Sequence, residues 1–199
     1  MKDNLKLAVI GLNGIGSYFV RALAETIKKD VAGFGKINPL AIDLYDDDII
    51  EERNLSYTIY DVEHLDRTKA EVLAELTGYR AKVKKIESAE QLNDYDFIVL
   101  CVDNNKVRNL VYESDKPFLD LRANGKAVMV YLTKRELDTD KDYLNLTEDD
   151  DIKGGCQREE DLEDRSIEFG NRISAEIGLQ FLASYLRGEI KNKKYIFMV

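Results

Sequence analysis

Cysteine, proline and histidine are scarce in this sequence: two, two and one among 199 residues. Cys101 and Cys156 stand in unlike surroundings, one inside an apolar run and one in a polar stretch, which argues against a disulfide framework. Two cysteines and one histidine are too few for the usual four-cysteine or two-cysteine, two-histidine zinc sites, so no zinc is expected. With His64 as the sole imidazole and no G-x-S-x-G segment, nothing supports a serine-hydrolase triad; His64 is expected at the surface. No apolar run reaches the roughly 18–20 residues of a membrane span. The start, MKDNLKLAVIG, carries neither a basic-then-apolar leader nor a small-residue cleavage site. These absences predict a cytoplasmic protein with no membrane partner. Positive charge is also short: 29 basic against 38 acidic residues leave a net charge of −9, which repels a phosphate backbone, and no nucleic acid is expected.

Hydrophobic residues make up 44% of the chain, enough to fill a core. Lys6 to Ile10 reads as a short strand and Gly14 to Lys29 as a helix with Ile15, Phe19, Leu23 and Ile27 near helical spacing. Pro39 to Asp46 is a second strand. Asp66 to Leu76 is a helix with Asp66 as N-cap and Gly78 past its end. Lys82 to Ile86 reads as a short strand. Asp96 to Val102 is a continuous apolar run, the pattern of a strand buried on both faces. Asn105 to Glu113 is a helix, Phe118 to Leu121 and Ala127 to Leu132 are strands, Ser166 to Arg187 is a long amphipathic helix, and Tyr195 to Val199 closes the chain as a strand. Asp138 to Asp151 holds seven acidic side chains against one lysine and reads as a solvated loop. Strands alternating with helices predict an α/β, Rossmann-like, doubly wound and mostly parallel sheet, with C-terminal strands and a long final helix. One domain over residues 1–199 is expected, with a nucleotide-binding half at about 1–115, an acidic loop at about 136–165 and the final helix at about 166–187.

Gly11 to Gly16 reads G-L-N-G-I-G, after a strand and at the opening of a helix. Glycine lets the backbone turn tightly and approach phosphate oxygens, and the helix N-terminus supplies free amides. Asn13 stands where the fingerprint has its middle glycine, and asparagine tolerates a left-handed conformation. Gly11, Asn13, Gly14 and Gly16 are thus candidate phosphate-binding positions, a signal that fits NAD, FAD or ATP alike. Asp46, Asp47 and Asp48 close the second strand, where an acidic residue can accept bonds from ribose hydroxyls.

The segment DDDIIEERNLSYTIYDVEHLDRTKAEVLAE resembles a signature of the ThiF/MoeB/ubiquitin-activating-enzyme superfamily: D-x-D, about five residues, N-L-x-R-Q, a spacer, then G-x-x-K-A. Asp46 and Asp48 match the D-x-D, Asn54 and Leu55 the N-L, Lys69 and Ala70 the K-A. YDFIVLCVDNNKVRN resembles the later D-x-V-x-x-x-x-D-N-x-x-x-R, with Asp103, Asn104 and Arg108 on its fixed positions. GGCQREEDLEDRSIEFGNRISAEIG looks like the tail of the compact, zinc-free prokaryotic branch.

The resemblance implies ATP-dependent adenylation of the C-terminal carboxylate of a ubiquitin-like or sulfur-carrier protein ending in Gly-Gly. It implies ATP and Mg²⁺ as cofactors and a homodimer; Ile173, Ile177, Phe181 and Leu182 form a stripe on the final helix that is either a pairing face or the core-facing side of a surface helix. In this family Asp46 holds ribose, with Asp48 beside it, Asn54 orients a phosphate oxygen, Lys69 offsets charge as pyrophosphate leaves, and Asp103 holds Mg²⁺, followed by Asn104. Arg108 is either a phosphate ligand or a solvated arginine on a surface helix. Two departures stand out. N-L-x-R-Q reads N-L-S-Y-T, so Tyr57 replaces an arginine, with Arg53 as a possible substitute; and no helix bearing an arginine finger precedes the first strand. Cys156 is either the nucleophile that takes an acyl group as thioester or a structural thiol; the acidic residues Glu159, Glu160 and Asp161 would raise its pKa. Cys101 belongs to the core. Two alternatives stand beside the enzyme: a ThiF-fold scaffold or inactive partner subunit, and an NAD-dependent oxidoreductase.

Overall fold

The computed structural model describes residues 5–29, 41–124, 127–133, 166–189 and 194–198. Strands β1 (Lys6–Ile10), β2 (Ala41–Tyr45), β3 (Arg80–Lys82), β4 (Phe97–Leu100), β5 (Phe118–Asn124), β6 (Ala127–Thr133) and β7 (Lys194–Met198) form one seven-stranded sheet in the order β3-β2-β1-β4-β5-β6-β7. β3, β2, β1, β4 and β5 are parallel. β6 and β7 return antiparallel, Phe118 opposite Thr133 and Ala127 opposite Met198. Among the described residues the α-helices are α1 (Gly14–Lys28), α2 (Lys69–Thr77), α3 (Asn105–Glu113) and α4 (Ser166–Leu186). The mostly parallel Rossmann-like sheet and the long last helix stand as the sequence predicts. The proposed strand start at Pro39 and the acidic run 138–151 lie outside the described residues.

The period of two along the central strand separates two cores. Leu7 and Val9 face α1, α2 and α4, where Phe19, Leu23, Leu73 and Leu182 pack on them. Ala8 and Ile10 face the other side, with Ile98, Leu100 and Val111 of α3. All four β4 residues are buried, as expected of a central strand covered on both faces. On α4, Ile173, Ile177 and Phe181 are half-buried against the first core and Leu182 is fully buried, so the stripe read from the sequence packs inward. Among the described residues, no helix is long and apolar enough to cross a membrane.

Several boundaries differ from the sequence reading by a few residues, and two of the shifts bear on the site. α2 begins at Lys69 with Thr68 as its cap, not at Asp66. Residues 66–68 instead pair back on the segment after β2: the Ile50 amide donates to the Arg67 carbonyl (2.9 Å) and the Asp66 amide to the Ile50 carbonyl (3.1 Å). Asp66 adopts a left-handed φ of 62° there. The short strand expected at 82–86 lies earlier, at Arg80–Lys82, because Arg80 (2.5 Å) and Lys82 (3.8 Å) reach Asp43 of β2. Lys84 to Glu87 are thereby left to form a wall beyond the sheet's edge.

Candidate functional site

The loop between β1 and α1 is shaped by what glycine leaves out. Gly11 has φ +85°, and a Cβ on it would lie 2.8 Å from the Cys101 carbonyl oxygen. A Cβ on Gly16 would lie 1.9 Å from the Gly11 carbonyl oxygen, and one on Gly14 would lie 2.4 Å from Asn171 Nδ2 of α4. Backbone thus packs on backbone, and the first turn of α1 opens beside the loop with its free amides. Asn13 caps α1 by position without a side-chain bond. Its buried Oδ1 has no hydrogen-bond partner in the protein.

At the tip of β2, Asp46 accepts from the Leu12 amide (2.7 Å) and the Asp48 amide (2.9 Å). The pairing of residues 48–50 with 66–69 brings Lys69 to this place. Its amide donates to the Asp48 carbonyl (3.0 Å) and its Nζ to Asp48 Oδ2 (2.9 Å). Lys69 is 3% exposed. Burial raises the Asp46 carboxyl above its ordinary range, while the Lys69 charge and the two amides pull it back.

Tyr60 completes a clamp that the sequence reading missed. Its hydroxyl donates to the Leu12 carbonyl (2.6 Å), so the two peptide groups of Leu12 are held by Tyr60 and Asp46. Burial, with a smaller push from Asp46, raises the Tyr60 pKa well above the ordinary value, which keeps the hydroxyl a donor. Tyr60→Phe leaves a buried carbonyl without this bond. The expected cost is about 1–3 kcal/mol, read as a lower urea midpoint at unchanged m-value.

At the tip of β4, Asp103 is exposed and Asn104 caps α3, its Oδ1 accepting from the Lys106 amide (2.8 Å). Arg108 is not a solvated surface arginine: it is 2% exposed. It donates to the Val102 carbonyl (2.6 Å) and Asn105 Oδ1 (2.6 Å), and lies 3.5 Å from Asp120 of β5. Arg122 reaches the same Asp120 oxygen at 2.7 Å. Helical periodicity turns Arg108 toward the sheet, where Asp120, itself fully buried, offsets its charge. Cys101 is half-buried against the first core and lines the cavity rather than lying wholly within the core; burial together with Asp120 pushes its thiol well up.

These strand tips surround one cavity of about 440 Å³. Gly11, Asn13, Gly14, Asp46, Asp48, Asp103, Asn104 and Arg108 line it, together with residues the sequence reading did not single out: Tyr45, Lys84, Lys85, Arg122 and Asn171. Lys84 lies over the Tyr45 ring (5.8 Å) and Lys85 is 3.5 Å from Asp47. Asn171, 4% exposed, donates to the Tyr57 carbonyl (3.3 Å). Lys69 sits behind Asp48, outside the lining. So do Gly16, which supports the loop from below, and three groups of the N-L-S-Y-T region. Asn54 is buried, its Oδ1 accepting from the Glu51 amide (2.9 Å) and its Nδ2 donating to the Tyr57 hydroxyl (2.8 Å). Tyr57 is buried with it. Arg53 points outward and pairs with Glu51, its side chain 79% exposed. His64 is buried rather than at the surface, its Nδ1 accepting from the Asp61 amide (3.2 Å). Nothing in the sequence marks Tyr60 as a site residue, and the resemblance of the tail, which includes an asparagine on the final helix, gives Asn171 no role; both act through contacts distant in the chain. Cys156 lies outside the described residues.

A family model described as the ThiF family matches residues 3–131. The chain belongs to the ThiF family. The match spans the glycine loop, the D-x-D segment, Lys69 and the Asp103 strand tip of this ThiF-family chain. Its fold is that of E. coli MccB, at a TM-score of 0.69 and 15% identity in a structure with succinimide, covering 98% of this chain and 61% of that one. E. coli MccB with ATP aligns at 0.66 and 15% identity, covering 99% and 61%. PaaA aligns at 0.61 and 15% identity, covering 98% and 61%. The ThiF-family chain thus spans about three fifths of the length of these structures. No curated protein sequence matches it significantly.

Proposed function

We propose that this chain is an ATP-dependent adenylyltransferase that activates the C-terminal carboxylate of a protein or peptide, of the ubiquitin-like or sulfur-carrier kind ending in Gly-Gly. One observation carries the reading: a glycine cradle, a ribose-type carboxylate and an exposed carboxylate meet at one cavity on the carboxyl ends of parallel strands. MccB, which shares the fold, has been crystallised with ATP and with MccA, and both facts support a nucleotide and a partner that brings the acyl group. An NAD site would leave Asp103 and Lys69 without a task.

The cavity fits a nucleotide on its own terms. Gly11, Gly14 and Gly16 have no room for a Cβ, and the buried Asn13 side-chain oxygen has no hydrogen-bond partner in the protein. Asp46 accepts ribose hydroxyls with the lone pairs its two amide bonds leave free. The loop and the α1 N-terminus hold phosphate oxygens. A carboxylate oxygen of the acyl substrate attacks the α-phosphorus; the bond to the β-phosphate breaks and pyrophosphate leaves with that electron pair. Lys69, freed from Asp48, offsets the charge that develops on the leaving group. Asp103 suits Mg²⁺, a hard ion that prefers carboxylate oxygen and water, and the ion would neutralise phosphate charge there. Cys156 has no part in forming the adenylate, because a thiol acts only on an acyl group already activated. A homodimer is part of the same proposal.

A second reading, a ThiF-fold scaffold or inactive subunit, draws on Tyr57, which is buried and uncharged where the motif carries arginine. Exchange of pyrophosphate into ATP, driven by a carrier with a free C-terminus, separates the two, since a scaffold yields none.

A pH effect follows from Lys69. The Asp46 pKa is raised, so the folded state holds the extra proton: Asp46 favours folding below its ordinary pKa, and that contribution is lost as pH rises through the raised value. Nucleotide affinity runs the other way, because the ionised carboxylate accepts the ribose bonds. Lys69→Met removes the charge that pulls the Asp46 pKa down. The acid limb of an ATP-affinity profile measured by calorimetry is therefore expected at higher pH in Lys69→Met than in wild type; an unmoved limb would refute this link.

A further inference from the structure

We propose that the cavity draws its nucleotide affinity from the adenosine monophosphate portion and holds the pyrophosphate portion of ATP only weakly, so that AMP binds about as tightly as ATP. The inference rests on the nucleotide reading above and concerns which part of the ligand the chain grips.

The monophosphate end is prepared. Leu12 is held by Asp46 and Tyr60 before any ligand arrives, which fixes the loop amides at no further ordering cost on binding. Asp46 is bonded to Leu12, next to Asn13, and Asp46, Asn13, Gly14 and Ile15 all line the cavity.

The groups that the resemblance assigns to the outer phosphates are committed elsewhere. Lys69 is bonded to Asp48, so reaching a phosphate exchanges one anion for another and adds little net ground-state binding. Such an exchange can still favour the transition state, where the leaving group's charge grows. Asn54 spends its carbonyl on Glu51 and its amide nitrogen on Tyr57. Tyr57 carries no charge. Arg53 is turned outward onto Glu51. Arg108 lies between the Val102 carbonyl, Asn105 and Asp120, and Arg122 is drawn onto Asp120.

The remaining cations of the lining, Lys84, Lys85 and Lys106, are exposed to solvent. Lys84 and Lys85 stand on the wall after β3, over Tyr45 and beside Asp47. Lys106 is exposed at the first turn of α3, where a solvated charge contributes little. Asp47, Asp48 and Glu87 line the same space and oppose added negative charge. A site of this kind releases pyrophosphate readily and retains the adenylate it has made.

The test is calorimetry on the full chain with AMP, with ATP in Mg²⁺, and with inorganic pyrophosphate added to the AMP-saturated protein. Dissociation constants for AMP and ATP within about threefold of each other, with pyrophosphate binding weaker than about 1 mM, are expected. ATP binding more than about 30-fold tighter than AMP would overturn the proposal and leave the nucleotide reading intact. Submillimolar pyrophosphate binding to the AMP complex would also overturn it. Binding of neither nucleotide would remove the nucleotide reading together with the inference.

Discussion

Gly16→Ala is expected to abolish nucleotide binding, by about a hundredfold or more. The added Cβ would lie 1.9 Å from the Gly11 carbonyl oxygen, a backbone atom that cannot turn aside as a side chain can. Gly11 is itself hemmed in by the Cys101 carbonyl and Val102, and its amide donates to the Tyr45 carbonyl (2.9 Å), so the strain passes into the loop and the first turn of α1. Those are the groups assigned to phosphate. Gly78→Ala provides the control. Its Cβ meets nothing within 4 Å, and only the left-handed φ of 78° is strained. A cost of about 1–2 kcal/mol in stability is expected there, with binding intact. Calorimetry with ATP and thermal unfolding read both variants; full ATP affinity in Gly16→Ala would place the ligand somewhere other than this loop.

Asp103→Ala is expected to reduce pyrophosphate exchange by about a hundredfold or more while leaving stability within about 0.5 kcal/mol of wild type. Asp103 is exposed just past the end of β4, so its removal takes nothing from either core. Its neighbour Arg108, by contrast, is buried, and its loss would remove the bonds to the Val102 carbonyl and Asn105 and one of the two cations beside Asp120. The pair of residues therefore separates chemistry from folding: Asp103→Ala should lose rate without losing melting temperature, and Arg108→Ala should lose melting temperature. An unchanged exchange rate in Asp103→Ala would show that the strand-tip carboxylate has no part in the reaction.

The central sheet was legible because its signals are local. Lys6 to Ile10 and the run ending at Val102 are short, apolar and bounded by turn residues, and the glycine loop lies directly between a strand and a helix. The spaced residues Asp46, Asp48 and Asp103 could be placed at one cavity because parallel strands present their carboxyl ends together. What the sequence hid depends on contacts between distant segments. The start of α2 moved because residues 66–68 pair with Ile50. Arg108 of α3 is buried because Asp120, on β5, awaits it. Asn54 and Lys69 carry motif positions, but their hydrogen bonds to Glu51, Tyr57 and Asp48 decide whether they face the cavity. Tyr60 and Asn171 belong to no local pattern, and only the packing against Leu12 and Gly14 gives them a place.

Pyrophosphate exchange bears most directly on the proposed activity. The chain is incubated with ATP, Mg²⁺, labelled pyrophosphate and a panel of carrier proteins ending in Gly-Gly, each also prepared with an amidated C-terminus. Adenylation of a terminal carboxylate predicts label entering ATP with at least one free-ended carrier and none with its amidated form. Exchange equally fast with the amidated carrier, or label entering ATP with no carrier present, would contradict it, because the acyl group would then not be the C-terminal carboxylate.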